Sequence, residues 1–254
     1  MIRPSKRAEP QVGTIRNMPA PETVLEHYDG IIEDDTKKAE EGGVDAMRRL
    51  ADWYGKSCLD GFVPPIDEKG AKRWRNRATV QELKDWASAS GGGNGVADAP
   101  DPRWAMFELG NVFLSGEYGV EKDSDEAHRW FKRSADAGYP AGLAGRGLCK
   151  LNGWGTNKNV TGGLALISSA ARDGSDLACF VLGECFYKCK YGNEKDIVQA
   201  QKWLTMAVGD GGEEECSCRV LDDEHLSQAR KWLEEIERLR GQEEIDRLRG
   251  HILV

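Results

Sequence analysis

A spacing of about 36 residues recurs along the chain, and no other feature of the sequence restricts the fold as tightly. Gly110, Gly147 and Gly183 stand 37 and 36 residues apart, Gly138 and Gly174 are 36 apart, and Trp130, Leu166 and Trp203 are separated by 36 and 37. Three sets of landmarks with one period mean that one structural unit is stacked on copies of itself. Periods of roughly 20 to 50 residues mark solenoids and propellers rather than a single closed core. The regular copies begin at Ala105 and end at Gly138, Gly174 and Val208. An upstream copy is more divergent: Ala46, Leu50, Ala51 and Tyr54 match Ala105, Leu109, Gly110 and Phe113, and Trp74 matches Trp130 at a distance of 56. The excess over one period falls on residues 88–103, whose Gly and Pro density reads as a loop inserted between units.

Each copy divides into two amphipathic helices. In the first, Ala105, Leu109, Gly110 and Phe113 recur at offsets of 4, 5 and 8, which places them on one stripe of a 3.6-residue helix. The glycine beside the leucine lets the second helix come close, because a larger side chain there would push the pair apart. A turn at Gly116 to Gly119 follows. Asp123 or Ser124 is placed to cap the second helix, whose inward stripe is Ala127, Trp130, Phe131 and Ala135. Gly138 ends that helix, free of the steric penalty at positive φ.

These residues follow the pattern A-x3-LG-x2-[YF]-x2-G, a G-V-x2-D turn filled by Gly119, Val120 and Asp123, and A-x2-W-x3-A-A-x2-G. The pattern resembles the Sel-1-like repeat family, relatives of the tetratricopeptide repeats, over residues from about 44 to 209. In the second regular copy Arg146 replaces the expected Leu and Lys150 the expected aromatic. Either that unit packs more loosely or the two charges face solvent or a partner. The resemblance implies an all-α fold, a right-handed superhelical α/α solenoid of about four helix-turn-helix units with capping helices at both ends. It also implies service as an adaptor or scaffold in protein complexes.

On this reading residues 1–20 are a disordered tail and 21–87 hold an N-terminal capping helix and the divergent copy. Residues 88–103 are the Gly/Pro-rich loop, 104–209 the three regular repeats, and 210–254 an acidic, cysteine-bearing loop followed by a capping helix. Terminal units of a solenoid need a polar outer face. The last helix has one, with Leu226, Ala229, Trp232, Leu233, Ile236 and Leu239 turned the other way. Within it EEIERLRG and EEIDRLRG recur nine residues apart, too short a run to establish a coiled coil.

With 43 acidic against 35 basic residues, the net charge of −8 offers no global field for nucleic-acid phosphates or anionic lipid. No apolar run approaches the roughly 20 residues of a membrane span. The seven cysteines are an odd number and do not recur at the period, which argues for reduced packing thiols over a disulfide scaffold. The expected compartment is the cytoplasm or nucleus, with a short transit peptide as the alternative that Arg3, Lys6, Arg7 and Arg16 leave open.

The sequence lacks a phosphate-cradling G-x4-GK[ST], an H-E-x2-H and a G-x-S-x-G, and His27, His128, His225 and His251 fall in different units. The expectation is therefore a non-catalytic protein without cofactor that holds a partner protein or peptide. In a tetratricopeptide-like superhelix the concave wall is built from first-helix positions left over from packing within the pair. Projected from the Leu-Gly landmark, these are Trp104, Phe107, Asn111 and Leu114, then Ala141, Ala144, Leu148 and Leu151, then Leu177, Phe180, Glu184 and Tyr187. Aromatic, amide and acidic groups over small residues suit an extended or helical peptide with apolar anchors. The competing use of Phe107, Leu148 and Phe180 is packing between neighbouring units. Arg73 and Arg77, in a run with Lys69, Lys72 and Arg75, are candidates for an acidic or phosphorylated partner segment, while Trp74 between them occupies the repeat's packing position. A last alternative is a zinc-stabilised or regulatory module built from Cys185, Cys189, Cys216 and Cys218, although C-x-C is an atypical half-site.

Overall fold

The computed structural model describes residues 21–55, 67–89, 100–192, 194–209 and 218–252, the side chains of 21–28 and 243–252 excepted. The tail expected at 1–20 and most of the loop expected at 88–103 lie outside these residues. The described chain is helical: α1 (Pro21–Glu40), α2 (Val44–Gly55), α3 (Glu68–Ser88), α4 (Pro102–Ser115), α5 (Ser124–Asp136), α6 (Pro140–Asn152), α7 (Val160–Arg172), α8 (Asp176–Tyr187), α9 (Ile197–Val208) and α10 (Asp223–Ile252). Among the described residues the β content is a single bridge between Ser175 and Cys218. No helix among them is long and apolar enough to cross a membrane.

The described residues form two compact units that divide between Arg75 and Asn76, inside α3. In the first, α1 packs on α2 and Ala39, Ala46, Met47, Leu50 and Ala51 are buried. Asp35 of α1, 7 % exposed, takes a forked grip from Arg49 of α2, with Nε 2.9 Å from Oδ2 and Nη2 2.5 Å from Oδ1. That guanidinium holds the Asp35 carboxyl below its ordinary range, outweighing the opposing effect of burial.

The second unit holds the regular copies, and its helices pair in chain order: α4 with α5, α6 with α7, α8 with α9. The glycine landmark of the sequence is where each pair closes. A Cβ on Gly110 would lie 2.6 Å from the Phe131 ring, one on Gly147 2.8 Å from Ile167, and one on Gly183 2.6 Å from Leu204. Each distance is inside van der Waals contact, so only glycine permits the approach. The second helices start alike too. Asp123, Asn159 and Asp196 each accept from the backbone N–H three residues on, at 2.9, 2.8 and 2.9 Å. Between Asp123 and Ser124, the cap is Asp123. On α5 the residues buried inward are Ala127, Trp130, Phe131 and Ser134, so the stripe closes on Ser134 rather than on Ala135. The Ser134 hydroxyl donates to the Arg103 carbonyl at 2.8 Å and is satisfied inside the core.

Successive pairs stack through α5 on α6, α7 on α8 and α9 on α10, while the first helices α4, α6 and α8 neighbour one another. The last helix therefore packs on α9 as the first helix of a further unit would. Ala229, Trp232 and Ile236 are buried and Leu226, Leu233 and Leu239 half-buried, the face read from sequence as inward.

Candidate functional site

The projected wall positions lie on the layer of first helices, α4, α6 and α8. At its start the projected residues are within reach of solvent. Trp104 of α4 is half-buried, its ring tilted against Trp86 of α3 with centroids 6.5 Å apart. Asn111, two turns on, is half-buried and hydrogen-bonded to Glu108. Burial pushes the Glu108 carboxyl up, the Asn111 bond opposes it, and Glu117 adds to the rise. Leu148 of α6 is half-buried against the larger core. Near it the Asn152 side chain donates to the Leu148 carbonyl at 3.0 Å and accepts from the Tyr191 hydroxyl at 3.2 Å.

Other projected positions, on α4 as well as α8, are covered by the chain itself. Phe107 is 3 % exposed and its ring lies 5.7 Å from Phe131 and 6.0 Å from Tyr139. Phe180 is buried between Trp232, stacked at 5.5 Å, and His225, edge-on at 5.2 Å. The Tyr187 ring is tilted against Trp232 with centroids 5.5 Å apart. Burial and a hydrogen bond to Glu235 push its phenol up to about 12. Phe107, Phe180 and Tyr187 thus spend their rings on internal packing, the use that competed with binding for the two phenylalanines. Glu184 is half-buried with Lys188 at 3.0 Å and Lys190 at 2.8 Å; burial pushes its carboxyl up, and the hydrogen bonds and charges of the two lysines together hold it below the ordinary range.

The cover over Phe107 is a short extended strap, residues 218–222, that returns across the start of α8. The Cys218 N–H donates to the Gly174 carbonyl at 2.9 Å, and the Asp176 N–H donates back to the Cys218 carbonyl at 3.1 Å. Asp176, the first residue of α8 and 1 % exposed, turns its carboxylate onto the strap. One oxygen accepts from Val220 N at 2.9 Å and Leu221 N at 3.1 Å, and the other accepts from Leu177 N at 2.6 Å. The Cys218 side chain sits among Phe107, Ala127, Phe131, Ala141 and Cys149, with Val220 beside it, and is hydrogen-bonded to the Tyr139 hydroxyl. Sequence reasoning missed Asp176 and the strap. The available signal was connection length: three residues join α5 to α6 and α7 to α8, whereas residues 209–222 separate α9 from α10.

The remaining candidates do not converge on one site. Arg73 and Arg77 on α3 are exposed, Arg73 over the buried Trp74 ring at 5.6 Å from its centroid. Arg146, the departure from the repeat pattern, is half-buried with a guanidinium nitrogen 3.6 Å from Asp136. Of the four cysteines considered as ligands, Cys216 lies outside the described residues. Cys185 is buried in the core of the last pair, Cys189 is exposed, and Cys218 belongs to the cluster around Phe107. Among the described residues no group of three or more His, Cys, Asp or Glu side chains is placed to hold a metal ion.

Comparison with family models gives a match to Sel1, the Sel1 repeat, at residues 44–78, 105–139, 140–175 and 176–211. No curated protein matches the chain. Among solved structures, the Sel1 repeat protein from Oxalobacter formigenes is 30 % identical, the match covering 62 % of this chain and 98 % of that one, with a TM-score of 0.39. The protective antigen c5321 of uropathogenic Escherichia coli strains, described as displaying an SLR fold, is 24 % identical over 81 % of this chain and 40 % of its own, with a TM-score of 0.35.

Proposed function

The chain belongs to the Sel1 repeat family, and from that premise we propose that it is a non-catalytic scaffold that holds a partner protein or peptide on the inner wall of its repeats. Proteins of this family generally mediate protein–protein interaction. The observation that carries the reading is the contrast along the wall. Trp104, Glu108 and Asn111 leave an aromatic, an acid and an amide half-buried on one face of α4, while Phe107 of the same helix is covered by the strap and Phe180 of α8 by α10. A half-buried indole beside polar groups is the composition of an interface anchor, apolar enough to gain from burial and ringed by groups that fix register. Leu148 on α6 and Glu184 on α8, with its two lysines, are further projected positions that stay half-buried. On α3, Arg73 and Arg77 offer an acidic or phosphorylated partner segment bidentate contacts.

The test compares partners recovered by affinity capture from native cells with the intact chain and with a Trp104→Ala, Asn111→Ala variant. The wild type retains partners that the variant loses, by about tenfold or more for an anchor worth roughly 2 kcal/mol. Recovery of the same set at the same yield by a folded variant refutes the inner-wall reading. An Arg73→Ala, Arg77→Ala variant reports on the acidic-segment contact, since loss of that contact flattens the salt dependence of binding.

A further inference from the structure

We propose that the slot now filled by residues 218–221 is a recognition site for an extended, proline-free segment of a partner protein, and that the chain's own strap occupies it in competition. The proposal rests on the reading of the inner wall as the binding face. The slot recognises its occupant in two ways. Backbone is read by the Gly174 carbonyl, the Asp176 N–H and the Asp176 carboxylate, which captures two successive N–H groups at 2.9 and 3.1 Å. A proline at either of those two positions would lack the donor. Side chains are read by the buried cluster of Phe107, Ala127, Phe131, Ala141 and Cys149, which the small Cys218 side chain joins while bonded to the Tyr139 hydroxyl, and by the surface against which Val220 packs two residues later. Backbone capture combined with pockets for alternate side chains is how sheet-edge peptide sites work. Here the edge is a helix-to-helix turn with a carboxylate completing it.

The length of the connection argues that the strap is an occupant rather than a required joint. The α5–α6 and α7–α8 junctions close over 137–139 and 173–175, so the repeat geometry needs three residues where the α9–α10 connection spends 209–222. Of the added chain, residues 218–221 lie along the Gly174 and Asp176 edge. Of the bonds to the Asp176 carboxylate, the one from Leu177 N–H does not depend on the strap. A cis segment on a short tether has an effective concentration of about 1 mM. Against a slot affinity near 100 μM it would weaken an outside competitor about tenfold.

The experiment uses the full chain with residues 218–221 replaced by Gly-Ser-Gly-Ser. The probe is a dye-labelled peptide of residues 218–223 carrying alanine in place of Cys218, followed by fluorescence anisotropy. The strap-replaced chain binds the peptide, the wild type binds it about tenfold more weakly, and Asp176→Asn in the replaced chain weakens binding by a further factor of about ten. Equal binding by wild type and replaced chain overturns the proposal, as does no binding by a replaced chain that keeps wild-type helicity. If the replaced chain loses its helicity, hydrogen exchange on the wild type decides. Val220 and Leu221 amides that exchange well ahead of the α8 interior support a releasable strap, and exchange only through global unfolding refutes it. No partner is needed for this assay. Its failure leaves the Trp104 and Asn111 surface standing, and failure of the capture experiment with positive peptide binding removes that surface alone.

Discussion

Cys189 is held at φ 55°, a conformation in which an L-residue brings Cβ against the neighbouring carbonyl. Its counterparts one and two units earlier are Gly153 at 81° and Gly116 at 77°, each closing the first helix of its pair. A second left-handed residue follows two positions later in each of the three regular copies: Tyr118, Gly155 and Tyr191 at 54°, 59° and 57°. The turn is therefore a fixed backbone shape that glycine satisfies freely and cysteine or tyrosine occupies under strain. Cys189→Gly should relieve about 1–2 kcal/mol of strain, partly offset by the entropy that glycine adds to the unfolded chain. The net expectation is a gain of up to about 1 kcal/mol, read as a higher denaturant midpoint. A lower midpoint would mean that the thiol contributes packing that its exposure does not suggest. At this scale the sequence was informative wherever a residue repeats at the period. The Gly110, Gly147 and Gly183 contacts were legible because a missing side chain in register has one steric meaning. Asp176 was not legible, because an aspartate at the start of a helix is indistinguishable in sequence from an ordinary first-turn acid.

Two helix contacts outside the regular copies depend on single side chains. The α1–α2 pair is fastened by Asp35 and Arg49, a forked ion pair with the carboxylate nearly enclosed and the guanidinium half exposed. Since the folded state lowers the Asp35 pKa, its contribution is present in full above the unfolded value near 4 and is lost as pH falls through the depressed folded value. Asp35→Asn should cost about 1 kcal/mol at pH 7, a figure kept small because Arg49 is partly solvated. The difference from wild type should vanish at pH values below the folded pKa, measured by amide exchange in α1. A difference that persists into acid would assign the effect to packing instead. The seat of α10 on the last pair turns on Trp232, which stacks on Phe180 and meets Tyr187 of α8 and carries Lys188 4.5 Å above its ring. Trp232→Ala should cost about 3–5 kcal/mol and loosen α8 to α10 ahead of α4 and α5, because units of a repeat array feel their neighbours first. Residue-resolved exchange checks both the size and the locality. The inward face of α10 was readable from its period. What it lies against was not, because amphipathicity names a buried face without naming the helix that buries it.

Across the second unit, nearest-neighbour stacking is crossed by one long-range tie. The strap leaves the last pair, bonds to the α7–α8 turn and places Cys218 in the cluster that contains Phe107, Ala127 and Phe131 of the first pair. Periodicity could not reveal this, since it reports what each unit shares with the next and the strap has no counterpart in other units. The cysteine pair around it invited a metal reading for the same reason, a local spacing standing in for a contact that chain topology alone creates. The tie bears on cooperativity. In an array coupled only through adjacent interfaces, the terminal pair can melt while the rest persists, and the denaturant transition broadens. A strap bonded to Asp176 and packed on Phe107 makes melting of the last pair cost contacts in the first, which merges the steps. Replacing residues 218–221 by Gly-Ser-Gly-Ser should therefore lower the apparent urea m-value and separate the transition read by Trp232 from that read by Trp130, two indoles buried at opposite ends of the stack. Two probes that still melt together with an unchanged m-value would show that the helix interfaces alone carry the cooperativity, leaving the strap a passenger on the inner wall.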